Sequence, residues 1–142
     1  MREILFRGKR IDNGEWTEGS LLQVSVAGKT YTLIFGDSFS FDGINMKALE
    51  HGLVDPSTVG QYTGIDDKNG KRIFEGDIVK HNNHSPEGFD VGLVFWNEED
   101  CRFIRTSKLY PEIDGFSMGK SCDYEVIGTK YDNPELLKES EA

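Results

Sequence analysis

Asn-Gly dipeptides punctuate this 142-residue chain at Asn13-Gly14 and Asn69-Gly70, each close to short runs rich in apolar side chains. Both residue types accept the positive φ angles that a two-residue hairpin turn demands, which commits the flanking segments to antiparallel strands. Residues 4–6 open a strand, and Asn13-Gly14 lies between Arg10-Ile11 and Trp16-Thr17. Residues 21–26 form a second apolar run, Ala27-Gly28-Lys29 turns the chain, and 31–35 returns it. In that return Tyr31, Leu33 and Phe35 alternate, as a half-buried strand should. Residues 36–43 read as a Ser-, Asp- and Gly-rich loop, and 45–51 as a short helix ended by Gly52.

Proline cannot donate to a sheet ladder, so 54–57, with Pro56, reads as a linker or edge. This places a β-rich N-terminal domain at 1–55 and a second domain at 56–142. Five strands are expected in the second: 59–63, 73–80, 92–96, 102–106 and 124–128. That number is enough to close a small SH3-like barrel. Asn133-Pro134-Glu135 reads as a helix start, with a capping Asn, a Pro at the first helical position and a carboxylate at the positive end. The fold class is therefore mostly β.

Charge narrows the function. The net charge is −9, divided as −2 over residues 1–60 and −7 over 61–142. General nucleic-acid binding depends on cations that neutralise phosphates, so this balance disfavours it. No apolar run reaches the length of a spanning helix, and no secretory signal follows Met1, so a cytoplasmic protein with no membrane partner is expected. Cys101 and Cys122 then read as reduced, buried thiols. Four of the 16 Lys and Arg residues, Arg2, Arg7, Lys9 and Arg10, crowd the first ten positions. On a strand Arg7 and Lys9 would face away from Arg2 and Arg10, so charge guarding an edge explains them better than a phosphate site does.

Motifs of specific chemistry fail on spacing. Gly28-Lys29-Thr30 and Gly119-Lys120-Ser121 mimic the end of a phosphate-binding loop, but Gln23 and Asp114 stand where its first glycine belongs. Setting Gly70 as the sixth residue of a calcium loop puts Ile65 first and Gly76 twelfth, which removes essential oxygen ligands. His81 and His84 would converge on a metal only from a loop, with no cysteine near them. Carboxylates at Asp66-Asp67 and Glu98-Glu99-Asp100 sit in turns rather than across a cleft. No catalytic residue, metal or cofactor is assigned, and no enzyme is expected.

The run Gln61-Tyr62-Thr63-Gly64-Ile65-Asp66-Asp67-Lys68-Asn69-Gly70-Lys71-Arg72-Ile73-Phe74-Glu75-Gly76-Asp77-Ile78-Val79 resembles a signature of the YopX family of phage and prophage proteins. The closing Tyr124-Glu125-Val126-Ile127-Gly128-Thr129-Lys130-Tyr131-Asp132-Asn133-Pro134-Glu135-Leu136-Leu137 is similar to a second. Leu5-Phe6-Arg7-Gly8-Lys9 and Val54-Asp55-Pro56-Ser57-Thr58-Val59-Gly60 also fit the pattern. The resemblance implies a β-rich N-terminal part and an SH3-type C-terminal part. It implies no reaction and supplies no site residues.

The expected function is that of an accessory interaction module in a bacterial host, binding a host or phage protein, with self-association as a further option. Tyr62, Thr63, Glu75 and Asp77 are the polar members of the signature that could face a partner. Phe89 and Tyr110 are candidate aromatic anchors, whereas Trp96 ends an alternating strand and reads as core. Two alternatives remain: a nucleic-acid binder that stacks bases on the barrel's aromatics, and an acidic mimic of DNA that occupies a host enzyme.

Overall fold

The structure, a computed structural model, describes residues 2–36, 51–82, 88–119 and 123–138. The expected loop at 36–43 and helix at 45–51 lie almost wholly outside these residues, as do His84 and Cys122. The described chain is mostly β, in two antiparallel sheets. Contacts divide it into two compact units, Met1–Tyr62 and Thr63–Ala142.

The first unit contains β1 (Phe6–Lys9), β2 (Trp16–Val26), β3 (Lys29–Phe35) and the start of β4 (Gly60–Asp66). Asn13-Gly14 closes the β1–β2 hairpin as its chemistry dictates: Gly14 takes φ +70°, and its N–H donates to Arg10 O at 2.9 Å. At the β2–β3 turn Gly28 takes φ +79° and Ala27 takes +51°, so a residue with a Cβ occupies a left-handed position usually held by Asn or Gly. Leu33, Ile34 and Val54 form the buried centre. Gly8 permits this packing, since a Cβ there would lie 3.2 Å from both Ile34 and Val54. Pro56 starts a single 3-10 turn, Pro56–Thr58, where its missing N–H costs nothing. Asp55 caps this turn by accepting from Ser57 N, and its own N–H donates to Lys9 O.

The second unit carries the rest of β4, then β5 (Arg72–Phe74), β6 (Asp77–Asn82), β7 (Phe89–Asn97), β8 (Arg102–Arg105), β9 (Phe116–Ser117) and β10 (Tyr124–Thr129). The expected strand over 73–80 is broken in two by Glu75-Gly76, where Gly76 adopts φ +87°. Strand order in its main sheet is β10-β6-β7-β8-β9. That sheet is open rather than a closed barrel, because no pairing joins β9 to β10 among the described residues. The physical reason is length: β9 has two residues, too few to carry a closing ladder. Ile73, Val79, Val94 and Tyr124 form the core, with Ile65, Met118 and Val126 packed against it.

The expected C-terminal helix is a single 3-10 turn, Pro134–Leu137. Asn133 precedes it without a side-chain cap, because its Oδ1 accepts from Thr129 N instead. No helix among the described residues is long and apolar enough to cross a membrane.

Candidate functional site

One end of the second unit's core is polar. Register places His81 of β6 opposite Asp90 of β7, and Tyr124 of β10 opposite His81. Asp90 shares a strand face with Gly92 and Val94, so alternation turns its carboxylate inward. There it is 3% exposed.

A buried carboxylate must be paired and hydrogen-bonded to remain charged. Asp90 Oδ2 accepts from Arg105 Nη1 at 2.9 Å and from Ser107 Oγ at 2.5 Å. Its Oδ1 accepts from the backbone N–H groups of Val91, Lys108 and Leu109. Burial alone would raise the Asp90 carboxyl, but Ser107, Leu109 and Arg105 outweigh it and hold the group below the usual carboxylate range. Arg105, 6% exposed, also lies over the rings of Phe116 and Tyr124, at 5.0 and 5.9 Å. Burial and the Arg105 cation both push the His81 imidazole below its ordinary value, so it is neutral at pH 7.

The consequence is local rigidity. Ser107 Oγ accepts from Tyr110 N at 3.0 Å while donating to Asp90. Lys108 N donates to Val91 O, and Ile113 N to Tyr110 O. The segment that follows β8 is thus tied to β7 through one carboxylate. It presents Tyr110, 43% exposed, with its ring edge-on to Phe116 at 6.2 Å, and Ile113, 41% exposed. A carboxylate offers about four lone-pair positions, and five donors already occupy this one.

The six residues singled out from the sequence fall in different places. Tyr62 and Thr63 are buried in β4, where Thr63 Oγ1 donates to Ile73 O at 2.8 Å. Asp77 is fully buried, and its Oδ2 accepts from Phe74 N to close the turn that holds Glu75, which is half-buried. Phe89 is 48% exposed under the Lys80 ammonium, 4.4 Å from the ring centroid. It alternates onto the sheet face opposite Asp90. Trp96, expected in the core, is 42% exposed with Phe103 edge-on at 4.9 Å. Cys101, expected buried, is exposed at a turn with φ +51°, and its thiol donates to Glu98 O.

Three of the four N-terminal cations are engaged locally. Arg7 and Lys9 both stack over Trp16, at 4.6 and 5.4 Å, and Arg10 pairs with Asp12 at 2.6 Å. Among the described residues no group of three His, Cys, Asp or Glu side chains is placed to hold a metal.

Sequence reasoning missed Asp90 and Arg105, and alternation alone points the other way: Phe89, Val91, Leu93 and Phe95 form the more apolar parity of this strand, which would turn Asp90 outward.

No curated protein matches this chain. Among solved structures it is similar to the yopX protein of Bacillus subtilis, at 19% identity over 99% of this chain and 100% of that one, with a TM-score of 0.51. It is also similar to protein EF1440 from Enterococcus faecalis, at 21% identity over 97% and 100% of the two chains, with a TM-score of 0.48. The first likeness supports the fold and carries no function. The family model described as YopX protein matches residues 5–138, nearly the full length, and the chain belongs to that family.

Proposed function

We propose that the chain is a non-enzymatic accessory module of phage or prophage type that acts in the bacterial cytoplasm. It binds a host or phage protein through the surface around Tyr110. One observation carries this reading: an exposed aromatic and an exposed aliphatic side chain, Tyr110 and Ile113, stand on backbone pinned to a buried carboxylate. Binding energy concentrates in aromatic anchors, and an anchor ordered in advance loses little entropy when it docks. The most elaborate polar cluster supports a scaffold role rather than catalysis, since the lone pairs of Asp90 are already filled.

The test is capture of tagged wild-type protein and of Tyr110→Ala from host lysate, with and without nuclease. A defined protein that survives nuclease and is lost with Tyr110→Ala supports the proposal. Loss of all bound material on nuclease treatment moves nucleic acid into first place. Retention by Tyr110→Ala places the binding surface elsewhere.

A further inference from the structure

Two Asn-Gly pairs turn the chain, and their side chains are held differently. Asn13 and Asn69 are both exposed, and the glycines that follow take left-handed angles, φ +70° at Gly14 and +81° at Gly70. Each glycine N–H donates to a backbone carbonyl, Gly14 to Arg10 O at 2.9 Å and Gly70 to Asp67 O at 3.0 Å. The asparagine amides separate the two turns. Asn13 Oδ1 accepts from Glu15 N at 2.9 Å, and Asn13 Nδ2 donates to Glu15 Oε2 at 3.3 Å. Asn69 is engaged through its backbone N–H, which donates to Asp67 Oδ1 at 2.9 Å. Among the described residues no hydrogen bond holds its side-chain amide.

An amide in that position is open to a reaction whose only other reagent is water. The Gly70 nitrogen gives up its proton to solvent and attacks Asn69 Cγ; the bond from Cγ to the amide nitrogen breaks, and ammonia leaves. A five-membered imide then joins residues 69 and 70. Water opens it, giving aspartate when the bond to Cγ breaks and isoaspartate when the bond to the main-chain carbonyl breaks. Glycine favours the attack because no Cβ shields its nitrogen. Intramolecular attack also depends on the side chain reaching its near-attack position. Asn13 must first give up two hydrogen bonds to do so, and Asn69 gives up none.

The conversion has a structural consequence at residue 69. Asn69 N and Lys71 N both donate to Asp67 Oδ1 at 2.9 Å, while Asp67 Oδ2 accepts from Val126 N of β10 at 3.1 Å. An isoaspartyl link adds a methylene to the main chain between those two donors. It also leaves a free carboxylate two positions from Asp67, and like charges repel. The longer path and the new charge both work against the Asp67 clamp. We propose that Asn69-Gly70 is a self-modification site, where spontaneous deamidation loosens the turn from β10 as the protein ages. This requires no partner and is independent of the Tyr110 surface.

The test is to age the wild-type full chain at mildly alkaline pH, below its melting transition, then digest it. Electron-transfer mass spectrometry of the peptides separates isoaspartate from aspartate. The Asn69 peptide is expected to gain one mass unit, mostly as isoaspartate, several-fold faster than the Asn13 peptide. In concentrated guanidinium chloride the two should convert at nearly equal rates, because both are Asn-Gly. Amide exchange at Val126 should quicken in the isoaspartyl fraction. Asn69→Gln, whose longer side chain closes a six-membered ring far more slowly, should neither convert nor change exchange at Val126. An Asn69 peptide no faster than the Asn13 peptide overturns the proposal, as does a gap that persists in denaturant. Isoaspartate at 69 with unchanged exchange at Val126 overturns the loosening from β10.

Discussion

Asp90 and Arg105 face each other across the β7–β8 layer at 2.9 Å, and each side chain is more than nine-tenths buried. Neither could stay charged there alone, since the desolvation of each is offset by the other and by the hydroxyl and backbone donors around them. The pair also ties the Tyr110 segment to the sheet, so stability and the proposed binding surface depend on the same contact.

Cutting this pair from one side is therefore expected to be severe. Asp90→Asn or Arg105→Met alone should each cost about 3–5 kcal/mol, because an uncompensated buried group is left behind. Asp90→Asn combined with Arg105→Met should cost less than the sum of the single changes. Urea denaturation of the four proteins measures the coupling, and strictly additive losses would refute it.

Stability should fall with acid in two stages. His81 has a folded value below its unfolded value of about 6.5, so the unfolded chain takes that proton first and stability begins to decline below this pH. Asp67 and Asp90 lie below the unfolded carboxylate value of about 3.9. Their contribution is complete above that pH and is lost as pH drops through the lower folded values. Melting temperature against pH should show a shallow limb followed by a steep one. His81→Gln should remove the first limb and leave the second.

Two glycine substitutions separate crowding from backbone strain. A Cβ at Gly92 would sit 1.9 Å from Thr106 O, which is backbone and cannot swing aside. Gly92→Ala is expected to cost about 3 kcal/mol or more. At Gly14, with φ +70°, nothing lies within 4 Å of the added carbon. Gly14→Ala should cost only the left-handed penalty of about 1–2 kcal/mol. Thermal melts of both variants give the comparison, and equal losses would contradict it.

The Asp67 turn gives a local test. Burial alone would raise the Asp67 carboxyl, but the N–H groups of Val126, Lys71 and Asn69 together hold it low. Asp67→Asn keeps one acceptor oxygen and turns the other position into a donor facing an N–H group. It should cost about 1–3 kcal/mol. Amide exchange at Val126 should accelerate more than exchange at Val79 in the neighbouring strand. Uniform acceleration across the unit would mean that the turn holds nothing in particular.

Local chemistry was the legible part of the sequence. Asn13-Gly14 and Ala27-Gly28 announce their turns because the backbone angles they need depend on their own side chains, whereas the break at Gly76 lies inside a run that reads as one strand. Alternation also located β3 and β7, but a period of two names two faces without saying which is covered. Trp96 shares the covered parity with Val94 but stands near the exposed end of β7, and Cys101 falls in the turn beyond it, where alternation says nothing. Closure of the second sheet was illegible because it turns on a strand as short as Phe116–Ser117. The Asp90 cluster was harder still, since four of its five donors come from residues 15 to 19 positions later, brought near only by the β7–β8 register.

The fastening of Asp67 to β10 reaches beyond its own turn. Tyr124 O and Val126 N point away from β6, and they are occupied by Lys68 N and by the Asp67 carboxylate. A strand arriving from outside finds that margin already filled and cannot extend the sheet there. Polymerisation by edge-to-edge growth is thereby blocked at one border of the second unit, by a single acidic side chain and a turn rather than by another strand.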